Sequence, residues 1–280
     1  HPVVHVDEGR RVEHAHQRVE AIVDAAGAVD VPLATRLEQL GLQVGGDTAH
    51  ARDGAVGVAP NCRLLAVKIF HGDDLASDER VADAIRYAAT RAHVLSCSWG
   101  GGVSPDIQLA LADVGTARGG LGVPVFCASG NDNAASIDFP ASDPNAIAVG
   151  ASTDQGRHAD YSNRGRQLEF VAPSDGGRAG IFTTDVGYDN RGYNVGEADE
   201  GGVNGLYRNS FGGTSAATPL AAGIAALMLS VNSRLDREEV RNIMRRTADR
   251  IGRGYDRRGH SKSYGYGRVN AARAVREAQQ

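Results

Sequence analysis

The sequence predicts an α/β fold, a doubly wound and mostly parallel sheet with helices on both faces. Three observations predict it. From residue 57 onward short apolar runs alternate with amphipathic stretches, the rhythm of parallel strands joined by crossover helices. Several of those runs are apolar at consecutive positions, as strands covered on both faces must be. The run "SAATPLAAGIAALMLS" (215–230) is apolar all round, which marks a helix buried at the centre of a domain.

In chain order, "EHAHQRVEAIVDAAG" (13–27) reads as a helix with Val19, Ile22, Val23 and Ala26 on one face. "RLLAVKIF" (63–70) reads as a buried strand. "SDERVADAIRYAATRA" (77–92) is a helix: Ser77 caps it, acids fill the first turn, and Val81, Ile85, Ala88, Ala89 and Ala92 share a face. "HVLSCSWG" (93–100) is the next strand, followed by a helix near 105–118 and the strands "VPVFCASG" (123–130) and "AIAVGAS" (146–152). The stretch 186–210 is a long glycine-rich loop, and loops of that length in compact domains are usually functional or mobile. In the central helix Pro219 is expected in the first turn, where the ring is tolerated. "DREEVRNIMRRTAD" (236–249) has the acids-first order of a surface helix.

The chain has 280 residues, 41% hydrophobic and 23% charged, an ordinary globular composition. No linker-like stretch divides it, so residues 1–280 are expected to form one domain. The net charge of −4 without a basic run excludes a nucleic-acid footprint. No apolar run reaches the roughly 20 residues of a membrane span, and the start "HPVVHVDEGRR" is no signal peptide, so no membrane partner is expected. Three cysteines are too few for a disulfide framework or a zinc site. Cys97 and Cys127 read as buried thiols, and unpaired cysteines lean toward a reducing, cytoplasmic compartment. A monomer is expected.

Function is written around Ser215, in "FGGTSAATPLAAG" (211–223). A serine at a helix start is usually only a cap. To act as a nucleophile it needs an acceptor for its proton and donors for the oxyanion it creates. A helix N-terminus favours developing negative charge, and Gly212 and Gly213 leave room for a substrate backbone. Upstream, "CASGNDN" (127–133) ends a strand and presents Asn131 beyond the sheet edge, where ligands of parallel sheets bind.

Together with "GVAPNCRLLAVKIF", "VLSCSWGGG", "FPASDPNAIAVGAS", "YSNRG", "VAPS" and "YGYGRVNAARAV", these segments resemble the subtilisin-like serine proteases (subtilases, peptidase family S8). The motifs occur in family order over residues 57–278. The resemblance implies the subtilisin-like α/β fold and endopeptidase chemistry on peptide or protein substrates. Ser215 matches the acylated serine and Asn131 the oxyanion donor. Ser98, Trp99 and Gly100 match the strand that aligns substrate by backbone hydrogen bonds. Ala128, Ser129 and Gly130 match the facing segment that lines the pocket for the residue before the cut. No cofactor is required; structural calcium is compatible with the resemblance, although no acidic loop shows clear ligand spacing.

Residues 1–50 diverge. The family orders its triad Asp, His, Ser, yet its "HGT" histidine motif is absent. "VVHVDEG" (3–9) makes Asp7 the candidate acid, and His16 the candidate base, with His50 in "DTAHARDG" as rival. Two function classes stay open: an active endopeptidase, or a catalytically impaired relative that binds peptides in the cleft. A third arrangement, Ser215 followed by Asp249 or Asp256 and His260, would require an α/β-hydrolase elbow that "GTSAA" does not supply.

Overall fold

The computed structural model describes residues 20–23, 56–71, 74–184 and 207–280. Six strands form one sheet, and every pairing in it is parallel: β1 (Glu20–Val23), β2 (Arg63–Leu64), β5 (Val94–Cys97), β6 (Val125–Ala128), β7 (Ile147–Ser152) and β8 (Leu168–Pro173), in the spatial order β2-β1-β5-β6-β7-β8. Two short hairpins lie outside it, β3 (Phe70–His71) with β4 (Asp74–Leu75), and β9 (Ile181–Thr184) with β10 (Tyr207–Phe211). The helices are α1 (Asp78–Ala89), α2 (Pro105–Asp113), α3 (Thr214–Val231), α4 (Arg237–Thr247) and α5 (Ala271–Ala278).

Alternation along the central strands sends side chains to two cores. Val94, Phe126, Val149, Phe170 and Ala172 pack with α3, α4 and α5 on one face. Leu95, Cys97, Val125, Cys127, Ala148 and Val171 pack with α1 and α2 on the other. The sheet is therefore covered on both sides, which is why its strands carry apolar residues at successive positions. Helix α3 has the length and hydropathy of a membrane span, but here it is the core helix of a domain, packed against β5 to β8.

Several sequence expectations change. The segment read as a helix over 13–27 contains β1, because Ala21, Ile22 and Val23 fill a slot in the sheet in register with Val94, Leu95 and Ser96. A four-residue run rich in β-branched side chains fits either period, and the empty place beside β5 decides it. The strand expected over 63–70 pairs only at Arg63 and Leu64, after which the chain leaves the edge for the β3–β4 hairpin. Ser77 precedes α1, but its side chain makes no cap bond. The end of the long loop, from Tyr207, is a strand antiparallel to β9. Helix α4 starts one residue after Asp236, which forms a reciprocal capping box with Glu239.

Candidate active site

All six strands run the same way, so their carboxyl ends share one edge, and the first turn of α3 lies against it. Ser98, one residue past β5, donates from Oγ to the Ser215 carbonyl (2.9 Å), while Ser215 Oγ donates to the Ser98 carbonyl (3.3 Å). Pro219 explains the first bond. It falls in the second turn of α3 and not the first, so the carbonyl four residues back, that of Ser215, has no intrahelical donor. The Ser98 hydroxyl supplies one from outside the helix.

Asn131, three residues past β6, reaches the same helix end. Its Oδ1 accepts from the Thr214 N–H (2.8 Å) and from Thr214 Oγ1 (2.9 Å). Two donors on one side of the amide fix its orientation, and the NH2 group is the half left to serve a ligand. Gly213 stands between the two groups. A Cβ on it would lie 3.5 Å from Asn131 Nδ2 and 3.7 Å from the Ser215 nitrogen. One point at the mouth of α3 is thus flanked by a side-chain amide and by a backbone N–H that has no carbonyl one turn back to bond. Gly213 itself has φ 86°, a conformation that an L side chain resists.

Three groups hold Gly213 there. Ser174 Oγ, just past β8, donates to its carbonyl (2.8 Å), and Tyr161 Oη (3.2 Å) and Asp175 Oδ1 (3.3 Å) accept from its N–H. Burial and the neighbouring Asp175 push the Tyr161 hydroxyl up to about 12, so it stays protonated and bonds to Ser174 Oγ (2.9 Å).

A second clamp holds the Asn131 loop. Asn163 is fully buried; its Oδ1 accepts from the Asp132 and Ala134 N–H groups (3.0 and 2.9 Å), and its Nδ2 donates to Asp138 Oδ1 (3.1 Å). Gly130, with φ 102°, has room only for a hydrogen: a Cβ would stand 2.1 Å from both Asn163 Nδ2 and Asp138 Oδ2. Sequence reading missed Tyr161, Asn163, Ser174 and Asp175 as individuals, although "YSNRG" and "VAPS" contain the first three and Asp175 follows directly. Polar residues beside strand ends and glycines were the available signal.

The structure brings Ser98, Asn131 and Ser215 together at one helix end. Trp99 is nearly buried and Gly100 exposed, while Ala128 and Ser129 are buried. Asp7, His16 and His50 lie outside the described residues. His260 does not meet Ser215: its Nε2 bonds the carbonyl of Leu168 (2.7 Å) at the amino end of β8, whereas Ser174, past the other end, touches Gly213. Five residue steps at about 3.3 Å separate those ends. The structure thus agrees with the sequence in not supporting the α/β-hydrolase arrangement, and Asp249 and Asp256 belong to other contacts, with Asn270 and Arg273 and with the Arg258–His260 turn respectively. Among the described residues no group of three or more His, Cys, Asp or Glu side chains is arranged to hold a metal.

The chain is similar to known proteins. The Subtilase family pattern matches residues 40–267. The chain is 34% identical to the calcium-dependent protease of Nostoc sp. (strain PCC 7120 / SAG 25.82 / UTEX 2576) over 96% of its own length and 45% of that protein. It is 33% identical to alkaline elastase YaB of Bacillus sp. (strain YaB), covering 84% of this chain and 55% of the other. The chain thus spans about half the length of these curated relatives. Among solved structures, a lanthipeptide protease superposes with a TM-score of 0.67 at 20% identity, over 92% of this chain and 87% of that one. The patellamide maturation protease PatA gives 0.66 at 24% identity, over 93% and 97%. With the fold, the serine at the tip of the buried helix and the family pattern in agreement, this chain belongs to the Subtilase family.

Proposed function

We propose that the chain is a serine endopeptidase acting through an acyl-enzyme on Ser215. The observation that carries this reading is the anchoring of Asn131 Oδ1 on Thr214, which leaves the Asn131 NH2 group and the Ser215 N–H flanking one point beside the serine. Ser215 Oγ attacks a peptide carbonyl while a histidine takes its proton. The oxyanion is met by the two donors, and removal of one such donor typically costs about 10²–10³ in turnover. The histidine then protonates the leaving amine, and water repeats the cycle on the ester.

For the base we propose His16, with His50 as rival, and for the acid Asp7 is one candidate. The position of β1 adds a second acid. Val23 pairs with Ser96, two residues before Ser98, and the residue that follows Val23 in the sequence is Asp24. Peptide substrates would lie between the segments 98–100 and 128–130. One relative is named as calcium-dependent, but the described residues offer no cluster of His, Cys, Asp or Glu to hold a metal, and no step of the mechanism runs through one.

A phosphonylating reagent tests the reading. Stoichiometric addition at Ser215, abolished in Ser215→Ala, is the expected result. Absence of labelling in a folded chain that still binds peptides would make it a binding protein instead.

A further inference from the structure

We infer that Asp138 forms the floor of the pocket for the residue before the cut and selects peptides carrying lysine or arginine there. The inference rests on the proposed roles of Ser215 and of the two segments flanking the substrate.

Its basis is the placement of residues 138–139. The Asp138 N–H donates to the Ser129 carbonyl (3.1 Å), and the Phe139 carbonyl accepts from the Gly101 N–H (2.9 Å). The segment therefore bridges the two walls, 98–101 and 128–131, and closes the gap between them from below. Asp138 directs its carboxylate into that gap. Oδ1 is taken by Asn163 Nδ2, while Oδ2 lies 2.1 Å from where a Cβ on Gly130 would stand and 3.9 Å from where one on Gly100 would stand. One oxygen is thus tied down, and the other lies between the two walls, against the backbone of Gly130 and on the side of Gly100.

Among the described residues no Lys, Arg or His forms an ion pair with Asp138, and the charged group that acts on it is the like-charged Asp132. A partly buried carboxylate kept beside another acid is unfavourable for the fold, because burial and like charge both oppose ionisation. A substrate cation removes both penalties at once. Guanidinium or ammonium donors would complete the carboxylate as charge-assisted hydrogen bonds.

The test uses fluorogenic peptides that differ only at the residue before the cut (Lys, Arg, Leu, Phe or Glu), with Ser215 phosphonylation measured in parallel. Unmodified protein is expected to show kcat/KM at least tenfold higher for Lys and Arg than for Leu and Phe, with Glu the poorest. Asp138→Asn keeps the acceptor for Asn163, and it should reduce the Lys-to-Leu ratio at least tenfold. Should that variant not fold, the peptide series on unmodified protein and its competition by benzamidine decide alone. A chain that labels at Ser215 yet cleaves Leu and Phe peptides as well as Lys and Arg ones overturns the assignment of Asp138 and leaves the protease reading intact. If Ser215 does not label and nothing is cleaved, the protease reading fails. Binding of Lys-bearing against Leu-bearing peptides by the unmodified chain then decides the pocket: equal affinities overturn it, and a preference for Lys supports it.

Discussion

Asn131 is bound to Thr214 twice through one oxygen, to its N–H at 2.8 Å and its hydroxyl at 2.9 Å. The same side chain thereby caps α3 and aims its NH2 group, and the two roles separate by substitution. Asn131→Asp keeps an acceptor for Thr214 and loses the donor; Asn131→Ala loses both. Turnover should fall about 10²–10³ in each, whereas thermal stability should drop by about 1 kcal/mol only in the alanine variant. Steady-state kinetics beside thermal denaturation checks this. An aspartate variant with undiminished turnover would remove Asn131 from the oxyanion site.

Ser98 and Pro219 are expected to be coupled although they belong to different elements. Proline leaves the Ser215 carbonyl without a helix donor, and Ser98 Oγ replaces it at 2.9 Å. Ser98→Ala should therefore cost about 1 kcal/mol in the native background. In Pro219→Ala, where residue 219 regains an N–H, the same substitution should cost clearly less. A double-mutant cycle in urea reads the coupling directly, and strict additivity would dissociate the two residues.

Much of this was legible in the sequence, for identifiable reasons. Strands β5, β6 and β7 are mostly apolar on both faces, so their positions followed from composition alone, and α3 was legible because nothing polar interrupts it between Thr218 and Ser230. Ser215 stood out because it opens an apolar run after two glycines, and Asn131 because it follows the glycine that ends one. What failed was local. Residues 20–23 fit a helical stripe as well as a strand, and only the vacancy beside β5 chooses between them. Pro219 was assigned to the first turn because helix starts blur by a residue or two. Asp138 drew no attention in the sequence, since its role depends on Gly100 and Gly130, distant in sequence and adjacent only after folding.

Asp138 also gives a pH dependence with a definite sign. Burial and the nearby Asp132 raise its titration above the ordinary aspartate range, while the neutral amide of Asn163 partly opposes them. Only the ionised form attracts a substrate cation. The Lys-to-Leu ratio of kcat/KM should therefore be constant at alkaline pH and fall on acidification, beginning above the value of about 3.9 expected of a free aspartate. Stability runs the opposite way. The folded chain holds this proton more tightly than the unfolded one, so this group's contribution disfavours the fold above its titration and is relieved below it. Peptide kinetics across pH, with Asp138→Asn as control, checks the first effect. A ratio independent of pH would exclude a titrating pocket acid.

Gly213 resists a side chain through its backbone conformation. It has φ 86°, is hydrogen-bonded by Tyr161, Ser174 and Asp175, and a Cβ there would stand between Asn131 Nδ2 and the Ser215 nitrogen. Gly213→Ala should cost about 1–2 kcal/mol of stability from the left-handed backbone and should slow phosphonylation of Ser215, because the new methyl occupies the oxyanion position. Thermal denaturation and the labelling rate measure the two effects separately. Unchanged labelling in a destabilised variant would place the oxyanion elsewhere.

The acid of the triad can be assigned by competition between two aspartates. Asp7 follows an apolar run that resembles the family's aspartate strand, whereas Asp24 follows β1, whose pairing with β5 is in register at Val23 and Ser96. Val23 ends β1, in register with Ser96 two residues before Ser98, and Asp24 is its neighbour in the sequence. On that ground Asp24→Asn should lower turnover by about 10⁴, the scale expected when a catalytic histidine loses its orienting carboxylate, and Asp7→Asn should lower it far less. His16→Ala and His50→Ala, measured in the same assay, identify the base, since the true base and its acid give losses that do not add. A large loss in Asp7→Asn with Asp24→Asn unaffected would return the role to Asp7 and would make β1 a purely structural strand.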